Sequence, residues 1–113
     1  MWSKLTLTIP KDQSRSQVLL LILERNWRYE TDILFYVPAD VTESLSLYVA
    51  PEAIDDGYDP AYLPLQKDGR NIILPAGRAT RVESILAGGL VLVTGGNAQR
   101  DRIVTLCMLT HDK

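Results

Sequence analysis

The chain has one cysteine, one histidine and one phenylalanine in 113 residues, and no block of like charge. Cys107 cannot form an internal disulfide. It falls in the apolar alternation of a strand-like run, where the role of a small buried hydrophobe outweighs that of a nucleophile. His111 stands near the C-terminal end with no obvious partner. One thiol and one imidazole supply neither a zinc ligand set nor a Cys–His catalytic pair, so no metal and no cofactor is expected. Twelve basic and fourteen acidic residues leave a net charge of -2. Nucleic-acid binding draws most of its affinity from neutralised phosphates, so no nucleic-acid partner is expected. The longest apolar run, Val18 to Leu23, is far short of the ~20 residues that span a bilayer as a helix, and no membrane association is expected. Met1-Trp2-Ser3-Lys4 leads straight into a strand pattern, without the features of a signal peptide, which implies cytoplasmic synthesis.

What the sequence does contain is a series of short β-type runs set off by Gly, Pro and Asn. Apolar residues make up 46% and charged residues 23%, a globular mixture, and the length suits one domain, residues 1–113, with a single core. Leu5, Leu7 and Ile9 alternate with Thr6 and Thr8 up to Pro10. Val18 to Leu23 lacks alternation; its leucines favour a helix, its length and neighbours a strand covered on both faces, and a strand is expected. Ile33 to Val37 reads as a second buried strand, stopped by Pro38. Asp40 or Thr42 is placed to cap a single helical turn. Leu45, Leu47 and Val49 form the clearest amphipathic strand, and Tyr62 to Gln66 carries Pro64, which suits a sheet edge. Asp68-Gly69 signals a hairpin turn. Arg78 to Glu83 alternates, and Val82 to Ala87 is compatible with one helical turn. Gly88-Gly89 opens Leu90 to Val93, Gly95-Gly96-Asn97 closes it, and Ile103 to Leu109 is the last strand.

Eight or nine short strands, no long helix and turn signals at close spacing predict an all-β antiparallel sandwich. The expected inward set is Leu5, Leu7, Ile9, Leu45, Leu47, Val49, Leu90, Leu92, Val104, Leu106 and Met108. For the last strand the alternative inward set is Ile103, Thr105, Cys107 and Leu109.

No constellation for catalysis is present, and an enzyme is not expected. Asp55, Asp56 and Asp59 beside Gly57 do not follow the spacing of a helix-loop-helix calcium site, so a solvated turn is the better reading. Neither Gly88-Gly89 nor Gly95-Gly96 leads into a Lys-Ser/Thr step, so both are read as turn glycines. Trp2, Trp27, Tyr29, Tyr36, Tyr48, Tyr58 and Tyr62 supply material either for a sugar platform or for core and protein contacts. Eight arginines outnumber four lysines. Among them Arg25, Arg28, Arg78, Arg81, Arg100 and Arg102 fall at turns and strand edges, as interface anchors or solvated surface.

The order of these phrases resembles that of small head-decoration (cement or stapling) proteins of tailed bacteriophages. It is carried by Leu5-Thr6-Leu7-Thr8-Ile9-Pro10, Val37-Pro38-Ala39-Asp40-Val41-Thr42, Leu45-Ser46-Leu47-Tyr48-Val49 and Asp56-Gly57-Tyr58. Further on it continues through Ile72-Ile73-Leu74-Pro75-Ala76-Gly77-Arg78, Gly89-Leu90-Val91-Leu92-Val93 and Arg102-Ile103-Val104-Thr105-Leu106. The resemblance implies a jelly-roll sandwich and a non-enzymatic virion protein on the capsid exterior. Its partners would be the major capsid protein and further copies of itself, as a homodimer or other symmetric oligomer. Trp2, Lys4, Arg25, Trp27 and Arg28 are the candidate contact residues, with the first strand and the Pro64 strand as candidate free edges. The alternative function is a carbohydrate-binding module of a phage tail or adsorption apparatus. Solvent-facing rings in a row would favour sugar; dispersed rings and apolar surfaces would favour protein docking.

Overall fold

In the computed structural model, which describes the backbone of residues 2–21, 29–95 and 100–112, the chain is built from strands, and no α-helix occurs among the described residues. The strands are β1 (Trp2–Ile9), β2 (Leu19–Leu20), β3 (Tyr29–Val37), β4 (Leu45–Ala50), β5 (Leu63–Pro64) and β6 (Gln66–Lys67). They continue with β7 (Arg70–Asn71), β8 (Ile73–Leu74), β9 (Arg78–Ile85), β10 (Gly89–Thr94) and β11 (Arg102–Asp112). Among the described residues, no helix is long and apolar enough to cross a membrane.

Two antiparallel sheets share the core. One has the order β1-β11-β3-β9; the other has β2-β10-β4-β5, with β8 also pairing with β4. The chain passes back and forth between the sheets, so β1, β3, β9 and β11 interleave with β2, β4 and β10. This is the double Greek-key arrangement of a jelly roll. β6 and β7 form a separate two-stranded hairpin. Splitting of the expected Tyr62–Gln66 strand into β5 and β6, together with β7 and β8, raises the strand count to eleven.

The alternation sets the core. Leu7, Ile9, Ile33, Phe35, Val37, Leu45, Leu47, Leu90, Leu92, Val104 and Leu106 are all buried in one cluster, with Leu5, Val49 and Met108 packed half-buried against it. The last strand thus turns its Val104 set inward, while Ile103 and Leu109 are 51% and 41% exposed. A side-chain period of two leaves no intermediate choice: burying Ile103 would have turned Val104 and Leu106 into water.

Asp68-Gly69 bridges β6 and β7 with both residues at positive φ (55° and 78°), the backbone of a two-residue hairpin turn. Three expectations are corrected. Val82 to Ala87 is no helical turn: β9 runs to Ile85 with a bulge that sets Glu83 and Ser84 opposite Asp32, Ser84 taking a φ of 57°. At Pro38–Glu43 no helix forms; Val41 N–H donates to Pro38 O, and the Val41 side chain is buried. In the segment expected as a covered strand, Val18 to Leu23, the described residues Val18 to Leu21 form a sheet edge. Only Leu19–Leu20 pair regularly, with Leu90 and Gly89, and Val18 to Leu21 are half-buried; residues 22 and 23 lie outside the described set.

Gly88 and Gly89 are also not simply turn glycines. A Cβ on Gly88 would stand 2.2 Å from the Glu52 carbonyl carbon, and one on Gly89 would stand 2.1 Å from the Tyr62 hydroxyl oxygen. They let the 52–62 loop lie flat against the start of β10.

Candidate docking surface

The face of the β1-β11-β3-β9 sheet that points away from the core is built by the strand residues between the core positions. Register aligns them in rows. Lys4, Cys107, Leu34 and Arg81 form one row, and Thr6, Thr105, Tyr36 and Ala79 the next. Ile103 pairs with Thr8, and Leu109 with Asp32. Tyr36 is 60% exposed, and Leu34, Ile103 and Leu109 are exposed as well. A shallow depression of about 330 Å³ lies among Asp32, Leu34, Arg81, Cys107 and Leu109. The centre of the face is therefore apolar, while its margins are charged: Lys4 on the β1 side and, on the β9 side, Arg81 at 3.3 Å from Asp32 and 3.4 Å from Glu83. An apolar centre with a charged rim is the pattern of a protein contact. At ordinary strand spacings the apolar part spans on the order of 300 Å². A stable interface takes roughly 800 Å² from each partner, so this face would hold a partner only together with other surfaces or in many repeats.

Of the expected contact residues, two belong to this sheet. Trp2 opens β1 in register with Leu109, and exposed Lys4 pairs with Cys107. Arg25, Trp27 and Arg28 lie outside the described residues. Both expected edges are sheet edges, β1 at the end of one sheet and β5, with Pro64, at the end of the other. The β1 edge is partly closed: the Gln17 carboxamide accepts from Thr8 N–H at 2.9 Å and lies 3.5 Å from Thr6 O through its nitrogen. A side-chain amide there takes the place of a neighbouring peptide. Leu34, Tyr36, Ile103 and Leu109 were not among the residues expected at the docking contact, although the inward set expected for the last strand already turned Ile103 and Leu109 outward. The signal for them was that both alternation sets of Ile33–Val37 and Ile103–Leu109 are apolar, which a one-sided strand does not need.

The acidic loop holds itself together. Asp56 Oδ1 accepts from Tyr58 N–H at 3.0 Å, and Asp59 Oδ1 accepts from Ala61 N–H at 2.8 Å, as Asx turns do. Tyr62 is buried behind it and donates to Ile54 O at 2.7 Å. Burial raises its phenol pKa first, and the charges of Asp55, Asp59 and Asp56 raise it further. Arg15 lies over the Tyr48 and Tyr58 rings, 5.0 and 5.1 Å from their centroids, and donates to Gly57 O. These rings serve the loop, and Tyr36 stands on another surface, so the described aromatics form no row. Among the described residues, no group of three His, Cys, Asp or Glu side chains gathers as a metal site. Arg102, expected at the surface, is instead buried at 1% exposure.

No protein-family model matches the chain, and no curated protein matches it. Among solved structures, a protein of Bacillus endospore appendages, from work describing a novel family of disulfide-linked pili, is similar. The match has a TM-score of 0.58 at 7% identity and covers 99% of this chain and 87% of that one. The likeness is one of fold. A sandwich of this kind hosts many unrelated functions, so function has to be argued from the surfaces above.

Proposed function

We propose that this chain is a non-enzymatic virion protein that decorates the outside of a bacteriophage capsid, docking on major capsid subunits and on copies of itself. The observation that carries this reading is the exposed apolar face of the β1-β11-β3-β9 sheet, with Leu34, Tyr36, Ile103 and Leu109 between charged margins. The order of sequence phrases that resembles head-decoration proteins supports it, as does the jelly roll those phrases build. The competing reading, a carbohydrate-binding module, needs stacked rings on one face, and Tyr36 and Tyr58 are exposed on different parts of the molecule.

The mechanism is mass action. A ligand that binds only the assembled shell stabilises that state by about 2.7 kcal/mol per site when present at 100 times its Kd. An apolar face of modest area gives weak contacts singly, and a shell offers the same contact many times. The protein would be made in the host cytoplasm and reside on the virion exterior.

The test uses purified particles from the native source. The protein should be present in copy number comparable to the shell protein. Shells lacking it should bind the parent chain but not a Leu34→Asp/Tyr36→Asp double variant, and should bind the Trp27→Ala and residue 1–4 deletion variants more weakly. Absence from particles, or binding to a glycan array instead of shells, would overturn the reading.

A further inference from the structure

Among the described residues, β1, β9, β2 and the short strands β5 and β8, which share one side of β4, end the two sheets, and they differ in how open their outer edges are. β2 and β5 are two residues long, and β5 includes Pro64. β1 carries the Gln17 carboxamide across Thr6 and Thr8. β9, eight residues long, pairs with β3 alone. Beside it the sandwich is open rather than filled: a groove of about 550 Å³ runs along Thr80 to Ala87, with Val49, Leu65 and Ile72 on its far wall. Leu86, at the end of this groove, is 44% exposed.

We infer that β9 is the site of a twofold contact between two copies of this chain, pairing antiparallel with its own counterpart about Val82. The occupant is specified by charge. Arg81 and Glu83 share the outer face of the strand, where they form an ion pair of 3.4 Å within one copy. In an antiparallel pair, directly opposite residues lie on one face, so the alternation permits only registers that shift in steps of two. Placing Arg81 opposite Arg81, or Glu83 opposite Glu83, sets like charges together, which destabilises a sheet. Placing Val82 opposite Val82 sets Arg81 of each copy against Glu83 of the other. The charges are then opposed twice by symmetry, with Asp32 beside each Arg81.

The inner face agrees with this register. Val82, buried on the inner face, meets its own counterpart at the axis. The bulge at Glu83 and Ser84 ends the regular edge there, and Ser84 N–H is already bonded to Asp32 Oδ1 at 2.8 Å. The ladder is therefore short, confined to Thr80 through Ser84, and the groove beside it supplies apolar area for the second copy. The two four-stranded sheets would join into one of eight strands. This gives a location to the copy-to-copy contact of the proposed function and rests on that reading for its role. The contact itself is a property of the isolated chain.

The experiment is a charge swap on the full chain, read by sedimentation velocity from about 1 to 100 μM. The parent should show a monomer–dimer equilibrium that weakens with salt. Arg81→Glu and Glu83→Arg singly should each weaken dimerisation at least tenfold, and the Arg81→Glu/Glu83→Arg double variant should regain it. Glu83 is exposed, so Glu83→Arg should melt near the parent; Arg81→Glu also loses its ion pair with Asp32 and should melt a few degrees lower while remaining folded. A monomeric parent, a dimer indifferent to the single changes, or a double variant that stays monomeric would each overturn the inference. Shell binding measured on the same variants separates the two readings. A parent dimer that ignores shells would sink the capsid role alone, and a shell-binding monomer would sink the β9 contact alone.

Discussion

Arg102 is buried against Glu43, its Nη1 3.9 Å from the carboxylate Oε2. Its Nη2 also donates to the backbone oxygens of Pro10 and Gln13, each at 2.8 Å. The guanidinium thus ties the turn after β1 and the loop before β4 to the first residue of β11. A planar guanidinium presents its donors in fixed directions, which suits partners held on three chain segments better than the compact point charge of an ammonium. Arg102→Ala should leave two carbonyls without their donor and the Glu43 carboxylate without its counter-charge. The expected loss is about 2–3 kcal/mol, from two charge-assisted hydrogen bonds and the packing of a buried side chain. It should appear as a lower urea midpoint with an unchanged m value.

Gly88 has no room for a side chain. A methyl group there would meet Glu52 and Ala53 backbone atoms between 2.2 and 2.6 Å away, and backbone does not swing aside as a side-chain tip does. Gly88→Ala should cost about 1–3 kcal/mol or more by overpacking. Gly69 lies in open space at a φ of 78°. Gly69→Ala should therefore lose only what its backbone conformation costs, about 1–2 kcal/mol. Thermal melts of the two variants compare a steric clash with backbone strain in the same fold.

Tyr62 makes stability fall in alkali. Its folded-state pKa is raised above the ordinary 10.0, chiefly by burial and then by the three aspartates of the loop. The contribution is fully present below pH 10, where the phenol is protonated in both states. It is lost as pH rises through the raised folded value, because the unfolded chain releases the proton first. Tyr62→Phe should flatten that alkaline slope. It should also lose about 1 kcal/mol at neutral pH with the hydrogen bond to Ile54 O. Urea titrations from pH 7 to 11 measure both effects.

Chelation should leave the fold unchanged. Asp56 and Asp59 each hold a backbone N–H of their own loop, so their charge is already used in shaping it. The melting temperature in EDTA should equal that without it. A drop of several degrees would show that the loop gathers a cation.

Much of the sandwich was legible because a period of two states which face is buried. Leu5-Leu7-Ile9 and Leu45-Leu47-Val49 gave the inner face of two strands, Pro64 an edge and Asp68-Gly69 a hairpin. Val82 to Ala87 misled for a specific reason. The bulge puts two residues opposite Asp32, so Val82 and Ile85, both buried, stand three apart, the spacing of a helix. Ile33 to Val37 misled in the other direction. Its unbroken apolarity reads as burial on both faces, whereas Leu34 and Tyr36 face outward. Periodicity cannot distinguish a strand covered by its own chain from one with an apolar exposed face. Arg102 was illegible because its partners, Pro10, Gln13 and Glu43, are distant in the sequence and only the fold brings them together.

The strand order has a consequence for biosynthesis. β11, translated after the other ten strands described above, lies inside its sheet, between β1 and β3. While the nascent chain is still on the ribosome, the first strand has no neighbour in that sheet, and β3 has only β9. Closure therefore waits until β11 has left the exit tunnel, and then pairs residues about a hundred positions apart, a slow kind of search. During that interval the apolar sides of β1 and β3 are open to any chaperone, or to any other unfinished copy, emerging nearby.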